Sequence, residues 1–217
     1  RGLGDVYKRQ IIKDALILFA ITLIAGLALG FVHKITEAPI AKVQEQAKQD
    51  AYRNVFEGAD EFKALESVPA DNYASVLAAA GIEKDEISDV VAAMKGGSYQ
   101  GLVVTVIAND GYGGDIKFSV GIRKDGTVNG ISILSISETA GLGMKAKEEK
   151  FQSNFKNKKA SQFVVTKSGA AKDGDVDAIS GATITSKAVT KGVNSALAVF
   201  ENLTKEGIKL TGGVSVE

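Results

Sequence analysis

Residues 15–32 (ALILFAITLIAGLALGFV) form an 18-residue run without a charged side chain, and Thr22 is its only polar residue. With Ile11, Ile12 and Ile35 added at its ends, the run is long enough, at about 1.5 Å per residue, to cross a hydrocarbon core of about 30 Å as one helix. A core helix of a soluble protein keeps a polar face, and this run has none. A signal peptide has a shorter apolar stretch and a small-residue cleavage site, whereas His33-Lys34 follows here. The expectation is an uncleaved N-terminal anchor over residues 11–35, with His33 at the lipid–water interface. Lys13 is offset by Asp14, so the flanking charge carries no orientation signal. Residues 1–10 (RGLGDVYKRQ) back-translate into a common transposase sequencing adapter read in frame; they are expected to be an assembly artefact and are set apart from the fold.

The whole chain is 45% apolar and 24% charged, which excludes wholesale disorder. It has no cysteine, so disulfides, zinc–thiolate sites, iron–sulfur clusters and thioether-linked haem are excluded. One histidine excludes His-cluster metal sites and bis-histidine haem, and no metal site is expected. The 26 basic and 26 acidic side chains balance, so no basic field is available for nucleic acid. An electron carrier built from this chain must therefore use an organic cofactor.

After Pro39 the apolar residues Ile40, Val43, Ala47, Ala51 and Val55 recur at three- and four-residue steps, predicting a helix to about residue 57. Residues 71–80 predict a second helix, ended by Gly81. Residues 99–108 read as a strand, followed by the glycine-dense turn 109–114 (NDGYGG). Ile116, Phe118, Val120 and Ile122 alternate with polar or small residues, the period of a strand. Lys124-Asp125-Gly126 signals a turn, and residues 128–136 return as another strand. Three strands with short connections predict an antiparallel sheet. A helical segment over 144–155, a strand near 163–165 and a helix over about 186–203 complete an α+β chain. The last helix has Val189, Val193, Leu197 and Phe200 on one face. Residues 36–98 are expected to be a helical stalk and the N-terminal part of the soluble domain, and residues 99–210 its core.

The segment 177–186 (DAISGATITS) lies just before that helix and carries the hydroxyls of Ser180, Thr183, Thr185 and Ser186. Backbone N–H groups at a helix start are unpaired and favour a phosphate, while Gly181 and Ala182 let a bulky group approach. On the local pattern alone, Ser/Thr capping of the helix with no ligand is the commoner explanation.

Asp177-x-x-Ser180-Gly181-Ala182-Thr183 resembles the flavinylation sequence of the FMN-binding domain found in the G subunit of Rnf complexes and the C subunit of sodium-pumping quinone reductases. The similarity extends to the order of features: one N-terminal anchor, the Gly111-Tyr112-Gly113-Gly114 turn, residues 138–143 (ETAGLG) and the flavin motif near the C-terminus. The family commonly has proline where Ala140 stands. The resemblance implies one transmembrane helix followed by a single FMN-binding domain with a mainly antiparallel sheet and flanking helices. It implies FMN covalently attached to Thr183 by a phosphoester bond, with Asp177, Ser180, Gly181, Ala182 and Thr185 around it. It places Tyr112, Gly113, Glu138, Thr139, Gly141, Leu142 and Gly143 against the flavin. Lys145 and Lys187 are either partners of the flavin phosphate or solvated lysines.

A threonine hydroxyl is a weak nucleophile, and the family implies a separate flavin transferase that uses FAD as FMN donor, with Asp177 helping recognition or activation. The implied function is electron transfer within an ion-translocating Rnf complex, a ferredoxin:NAD oxidoreductase. Its partners would be the A, B, C, D and E subunits of that complex, with the flavin domain on the extracytoplasmic side. The chain is expected to be one component of a translocase and to hold no complete active site, since it has no GxGxxG after a strand and no Walker loop. One alternative is the C subunit of a sodium-translocating NADH:quinone reductase, whose members tend to be longer. The other, from a different class, is a membrane-tethered protein binding its ligand non-covalently.

Overall fold

The apolar run lies within α1 (Leu3–Val55), a 53-residue helix in the computed structural model, which describes residues 3–65, 70–167, 169–210 and 214–216. The helix passes through Pro39 without a break and ends at Val55, two residues short of the expected limit. The chain falls into two compact units, Arg1–Ala47 and Lys48–Glu217. In the first, the consecutive side chains Leu16, Ile17, Leu18 and Phe19 point to different sides of the helix and are 48–64% exposed. A helix apolar on every side is stable in lipid rather than water. The one polar side chain of the run 15–32 is satisfied internally, because the Thr22 hydroxyl donates to the Leu18 carbonyl at 3.0 Å. Among the described residues this is the one helix long and apolar enough to cross a membrane.

The second unit is built on a five-stranded antiparallel meander, β1 (Glu61–Ala64), β2 (Glu86–Lys95), β3 (Ser98–Ala108), β4 (Ile116–Arg123) and β5 (Val128–Ser135), in that spatial order. β3, β4 and β5 fall where the alternating pattern puts strands. β1 and β2 lie N-terminal to the three expected strands and extend the same sheet. The helix α2 (Ala70–Ala79) connects β1 to β2. After β5 come a 3-10 turn (Gly143–Lys147), the short helix α3 (Glu149–Gln152) and a second 3-10 turn (Ser153–Phe155). A parallel pair, β6 (Val164–Thr166) and β7 (Asp175–Asp177), precedes the long helix α4 (Thr183–Glu206). The hairpin β8 (Ile208–Leu210) and β9 (Val214–Val216) follows.

Both faces of the sheet are covered. Leu102, Val104, Val106, Phe118, Val120 and Ile122 meet Val189, Val193, Ala196 and Phe200 of α4 in the larger core. The predicted apolar face of α4 is therefore its buried face. α4 packs closely here: a Cβ on Gly192 would lie 2.6 Å from the Phe118 ring. On the opposite face Tyr52, Val55 and Phe56 pack against Val91, Ala93 and Val103. The last turns of α1 are thus part of the domain. The Tyr52 hydroxyl donates to Asp89 Oδ2 at 2.6 Å, the Asn129 amide donates to the Val55 carbonyl, and a Cβ on Gly121 would lie 2.6 Å from that carbonyl oxygen.

Candidate functional site

The meander brings two loops to one end of the sheet, because Ala108 pairs with Ile116 and Lys117 pairs with Ser135. The loop between β3 and β4 carries the turn 111–114, and the segment after β5 carries residues 136–143. The glycines in the turn are sterically required. A Cβ on Gly111 would sit 2.1 Å from the Gly114 carbonyl oxygen, and one on Gly113 would sit 2.2 Å from that of Ser137.

Glu138 joins the two loops. Its side chain is buried, and Oε1 accepts the backbone N–H of Tyr112 at 2.7 Å and of Gly113 at 3.3 Å. A carboxylate accepting two backbone N–H groups fixes the turn more firmly than a neutral acceptor would. Gly143 is wedged beside it: a Cβ there would lie 2.7 Å from Glu138 Cβ, from Glu138 Oε2 and from Thr185 Oγ1. α4 therefore closes directly onto Glu138.

The third wall is the start of α4. Gly181 has φ +76°, and a Cβ on it would stand 3.0 Å from Leu142 Cδ2. The residue before the helix is Ala182, which has no side-chain oxygen and makes no capping bond. The first helical bond runs from the Ser186 N–H to the Ala182 carbonyl at 3.0 Å. Among the described residues, the N–H groups of Thr183, Ile184 and Thr185 have no hydrogen-bond partner, as expected at an uncapped N-terminus. The hydroxyls do not cap the helix. Ser186 Oγ instead accepts the Ile179 N–H and donates to the Ala182 carbonyl, both at 2.9 Å, which shapes the turn. Thr183 is half-buried at the first helical position, and its hydroxyl has no hydrogen-bond partner among the described residues.

These walls enclose an open cleft of about 580 Å³. Of the residues singled out in the sequence, Tyr112, Glu138, Thr139, Leu142 and Gly143 line it from one side. Gly181, Ala182, Thr183 and Thr185 line it from the other. Gly113 contributes through its N–H to Glu138. Gly141, Asp177 and Ser180 are exposed and lie outside the lining, and the Asp177 N–H is spent on Asn154 Oδ1 at 3.0 Å. Lys145 and Lys187 are exposed and also lie outside it. Ile184 lines the cleft and was missed. Its signal was an isoleucine about 140° around the helix from Val189, off the apolar face, and it is 52% exposed. Tyr112 at 71% and Leu142 at 42% complete an exposed apolar rim.

The lining fits a phosphorylated, flat aromatic group. It has three free N–H groups at the positive end of a 24-residue helix. It also has an uncommitted hydroxyl beside them, small residues on its floor and apolar side chains at its rim.

Comparison with known proteins gives the same outline. The FMN-binding domain family model matches residues 111–198, and the RnfG N-terminal region matches residues 7–55. The chain is 35% identical over 200 residues to the G subunit of the Na(+)-translocating ferredoxin:NAD(+) oxidoreductase complex of Acetobacterium woodii, covering 91% of this chain and 95% of that one. It is 35% identical over 192 residues to the G subunit of the proton-translocating ferredoxin:NAD(+) oxidoreductase complex of Clostridium ljungdahlii, covering 85% and 92%. The crystal structure of the C subunit of the Na(+)-translocating NADH-quinone reductase from Parabacteroides distasonis superposes over 67% of this chain and 78% of that one, at 26% identity and TM-score 0.48. With an N-terminal region and an FMN-binding domain both matched, and relatives alike over nearly their whole length, the chain belongs to the RnfG family.

Proposed function

We propose that this chain is the electron-transfer component of a membrane-bound, ion-translocating ferredoxin:NAD(+) oxidoreductase complex, and that it carries FMN on Thr183 through a phosphoester bond. The observation that carries this reading is Thr183, which lines the cleft at the uncapped start of α4 and whose hydroxyl has no hydrogen-bond partner among the described residues. When bound, FMN supplies one- and two-electron chemistry at its ring. The chain's own residues bind and orient. The N–H groups of Thr183, Ile184 and Thr185 stabilise a phosphate. Gly143 and Gly181 keep the floor low, and Tyr112, Leu142 and Ile184 offer apolar surface to a ring.

Attachment forms a bond from Thr183 Oγ to the FMN phosphorus. It breaks the phosphoanhydride of FAD, with AMP leaving and the hydroxyl proton released. A flavin transferase is required, because the chain places no base on the hydroxyl among its described residues. Asp177 and Ser180 are exposed and off the cleft, which suits recognition by that enzyme better than contact with the bound flavin. The partners are the A, B, C, D and E subunits of the complex, met through α1 and the domain surface, with the domain on the extracytoplasmic side. The match over residues 7–55 favours this complex over the quinone reductase.

The test is the intact mass and in-gel ultraviolet fluorescence of the denatured full chain, co-expressed with and without an active flavin transferase. The expected result is a fluorescent band heavier by one FMN less water, mapped to Thr183 and lost in Thr183→Ala. An unmodified chain in both preparations overturns covalent attachment; flavin released on denaturation would identify a non-covalent binding protein.

A further inference from the structure

A second cavity, of about 310 Å³, lies at the other end of the strands. Gln100 and Arg123 line it from the ends of β3 and β4, about 30 Å along β3 from the flavin cleft at 3.4 Å per residue. Its remaining wall is the chain leaving α1, from Asn54 through Gly58, with Lys95 of β2 and Lys156. Nothing in the proposed electron-transfer role uses it.

The lining is unusual in its charge. Arg123 Nη2 donates to Asn129 Oδ1 and to Asn157 Oδ1, both at 2.5 Å. Both acceptors are neutral, so the guanidinium is fixed in place while its charge stays uncompensated. Asn129 is itself tied, through its amide, to the Val55 carbonyl. Asn157 is held at φ +56°, a left-handed conformation that no other non-glycine residue adopts among those described. Among the described residues, Lys95, Arg123 and Lys156 pair with no carboxylate, whereas Lys84, Lys158 and Lys191 each do. Glu57 is the one acid among the described residues of the lining, where it leaves an excess of two positive charges. A guanidinium presents parallel N–H groups that fork onto two oxygens of one anion, and flanking ammonium groups add unpaired donors.

We propose that this pocket binds a phosphate group, as a free or esterified dianion, between Arg123, Lys95 and Lys156. Solution phosphate and a lipid headgroup are the two sources, and they share this chemistry. Occupancy joins the segment leaving α1 to the ends of β3 and β4.

The probe is inorganic phosphate, titrated calorimetrically into the full chain in phosphatidylcholine nanodiscs. Saturable binding is expected that weakens as ionic strength rises. Lys156→Gln removes one donor whose side chain makes no hydrogen bond among the described residues, and it leaves the N–H groups of the flavin cleft untouched. It should weaken phosphate binding by about fivefold. Arg123→Gln should weaken it by about tenfold or more, the loss of a charge-assisted forked contact. Lys172→Gln, remote from the pocket, should leave it unchanged. Repeating the titration in nanodiscs containing phosphatidic acid separates the sources. Loss of phosphate binding there identifies the headgroup, and retention identifies a free anion. No saturable binding of phosphate in phosphatidylcholine discs, or equal affinity in Lys156→Gln and the parent chain, overturns the proposal.

Discussion

Lys191 Nζ lies 2.9 Å from a carboxylate oxygen of Asp85, whose side chain is fully buried. Ser195 Oγ, one turn further along α4, donates to the other oxygen at 2.6 Å. The same ammonium pairs with Asp110, which Lys84 also reaches at 3.1 Å. Asp110 immediately precedes the glycine turn of the cleft. One lysine therefore holds α4, the approach to β2 and the base of the Tyr112 loop at a single point.

Replacing Lys191 with methionine keeps most of the volume and removes the charge. It leaves the Asp85 carboxylate buried with a hydroxyl as its remaining partner. Breaking a buried pair costs about 3–5 kcal/mol, and the partial exposure of Lys191 lowers the expectation to roughly 2–3 kcal/mol. Urea unfolding followed by circular dichroism measures it. Adding Asp85→Asn should recover part of the loss, since a neutral amide needs no cation; no recovery would mean that Asp85 is not the group left stranded.

The same network sets a pH window. Asp110 is held below the ordinary carboxylate pKa by hydrogen bonds from Lys191 and Lys84. Burial works to lower the Lys191 pKa, but hydrogen bonds to Asp110 and Asp85 raise it above the ordinary lysine value. A depressed acid stabilises above its unfolded pKa of 3.8 and loses that contribution as pH falls through its folded value. A raised base stabilises below its unfolded pKa of 10.5 and loses it as pH rises through its folded value. The contribution of the network should therefore be flat between these limits and decline outside them. Thermal unfolding across pH checks this, and in Lys191→Met both declines should shrink.

Glu138→Ala strips the acceptor from the N–H groups of Tyr112 and Gly113. Two backbone donors in a partly buried turn then lose their partner, at roughly 1–3 kcal/mol each. Glu138→Gln keeps a carbonyl oxygen in place and should cost less than half as much. Comparable losses in the two variants, measured by denaturant unfolding, would mean that charge rather than the acceptor geometry holds the turn.

Gly192→Ala sets two effects against each other. Alanine in a helix interior is favoured over glycine by about 1 kcal/mol. Here the added Cβ would lie 2.6 Å and 3.1 Å from Phe118 ring atoms and 3.3 Å from Val106, and overpacking costs about 1–3 kcal/mol. The contact should win, giving a net loss of about 1 kcal/mol. A more stable variant would show that the Phe118 ring yields without strain.

Asp177→Ala should slow flavin loading by the transferase several-fold while leaving the stability of the domain within about 0.5 kcal/mol, as for an exposed side chain without a structural partner. A time course of in-gel fluorescence with purified transferase measures the rate. Unchanged loading would assign recognition elsewhere on the surface.

What could be read from the sequence depended on whether the two sides of an element carry different residue types. The run long and apolar enough to cross a membrane is readable from composition alone. β4 is readable because Ile116, Phe118, Val120 and Ile122, all fully buried, alternate with other residue types. β2 is different: Val90, Ala92 and Met94 enter the core beneath α4, while Val91 and Ala93 face Tyr52 and Val55. Apolar residues on both sides of β2 leave no alternation to read, whereas β3, covered in the same way, shows as an unbroken run rich in β-branched residues. Gly181 and Thr183, which line the cleft, belong to a contiguous motif that is visible in the sequence. Lys191 does not, since its meaning depends on Asp85 and Asp110, about 80 to 110 residues away in the chain and adjacent only after folding.

The last turns of α1 carry a practical consequence. Tyr52 and Val55 belong to the core of the second unit, yet they are helical residues in the same helix as the apolar run. The seam between anchor and domain therefore falls inside a helix and not in a linker. A chimera that exchanges the anchor must be spliced ahead of Lys48. A fragment begun at Phe56 would lay bare Val91, Ala93 and Val103 and should aggregate, whereas one begun at Lys48 carries its own cover.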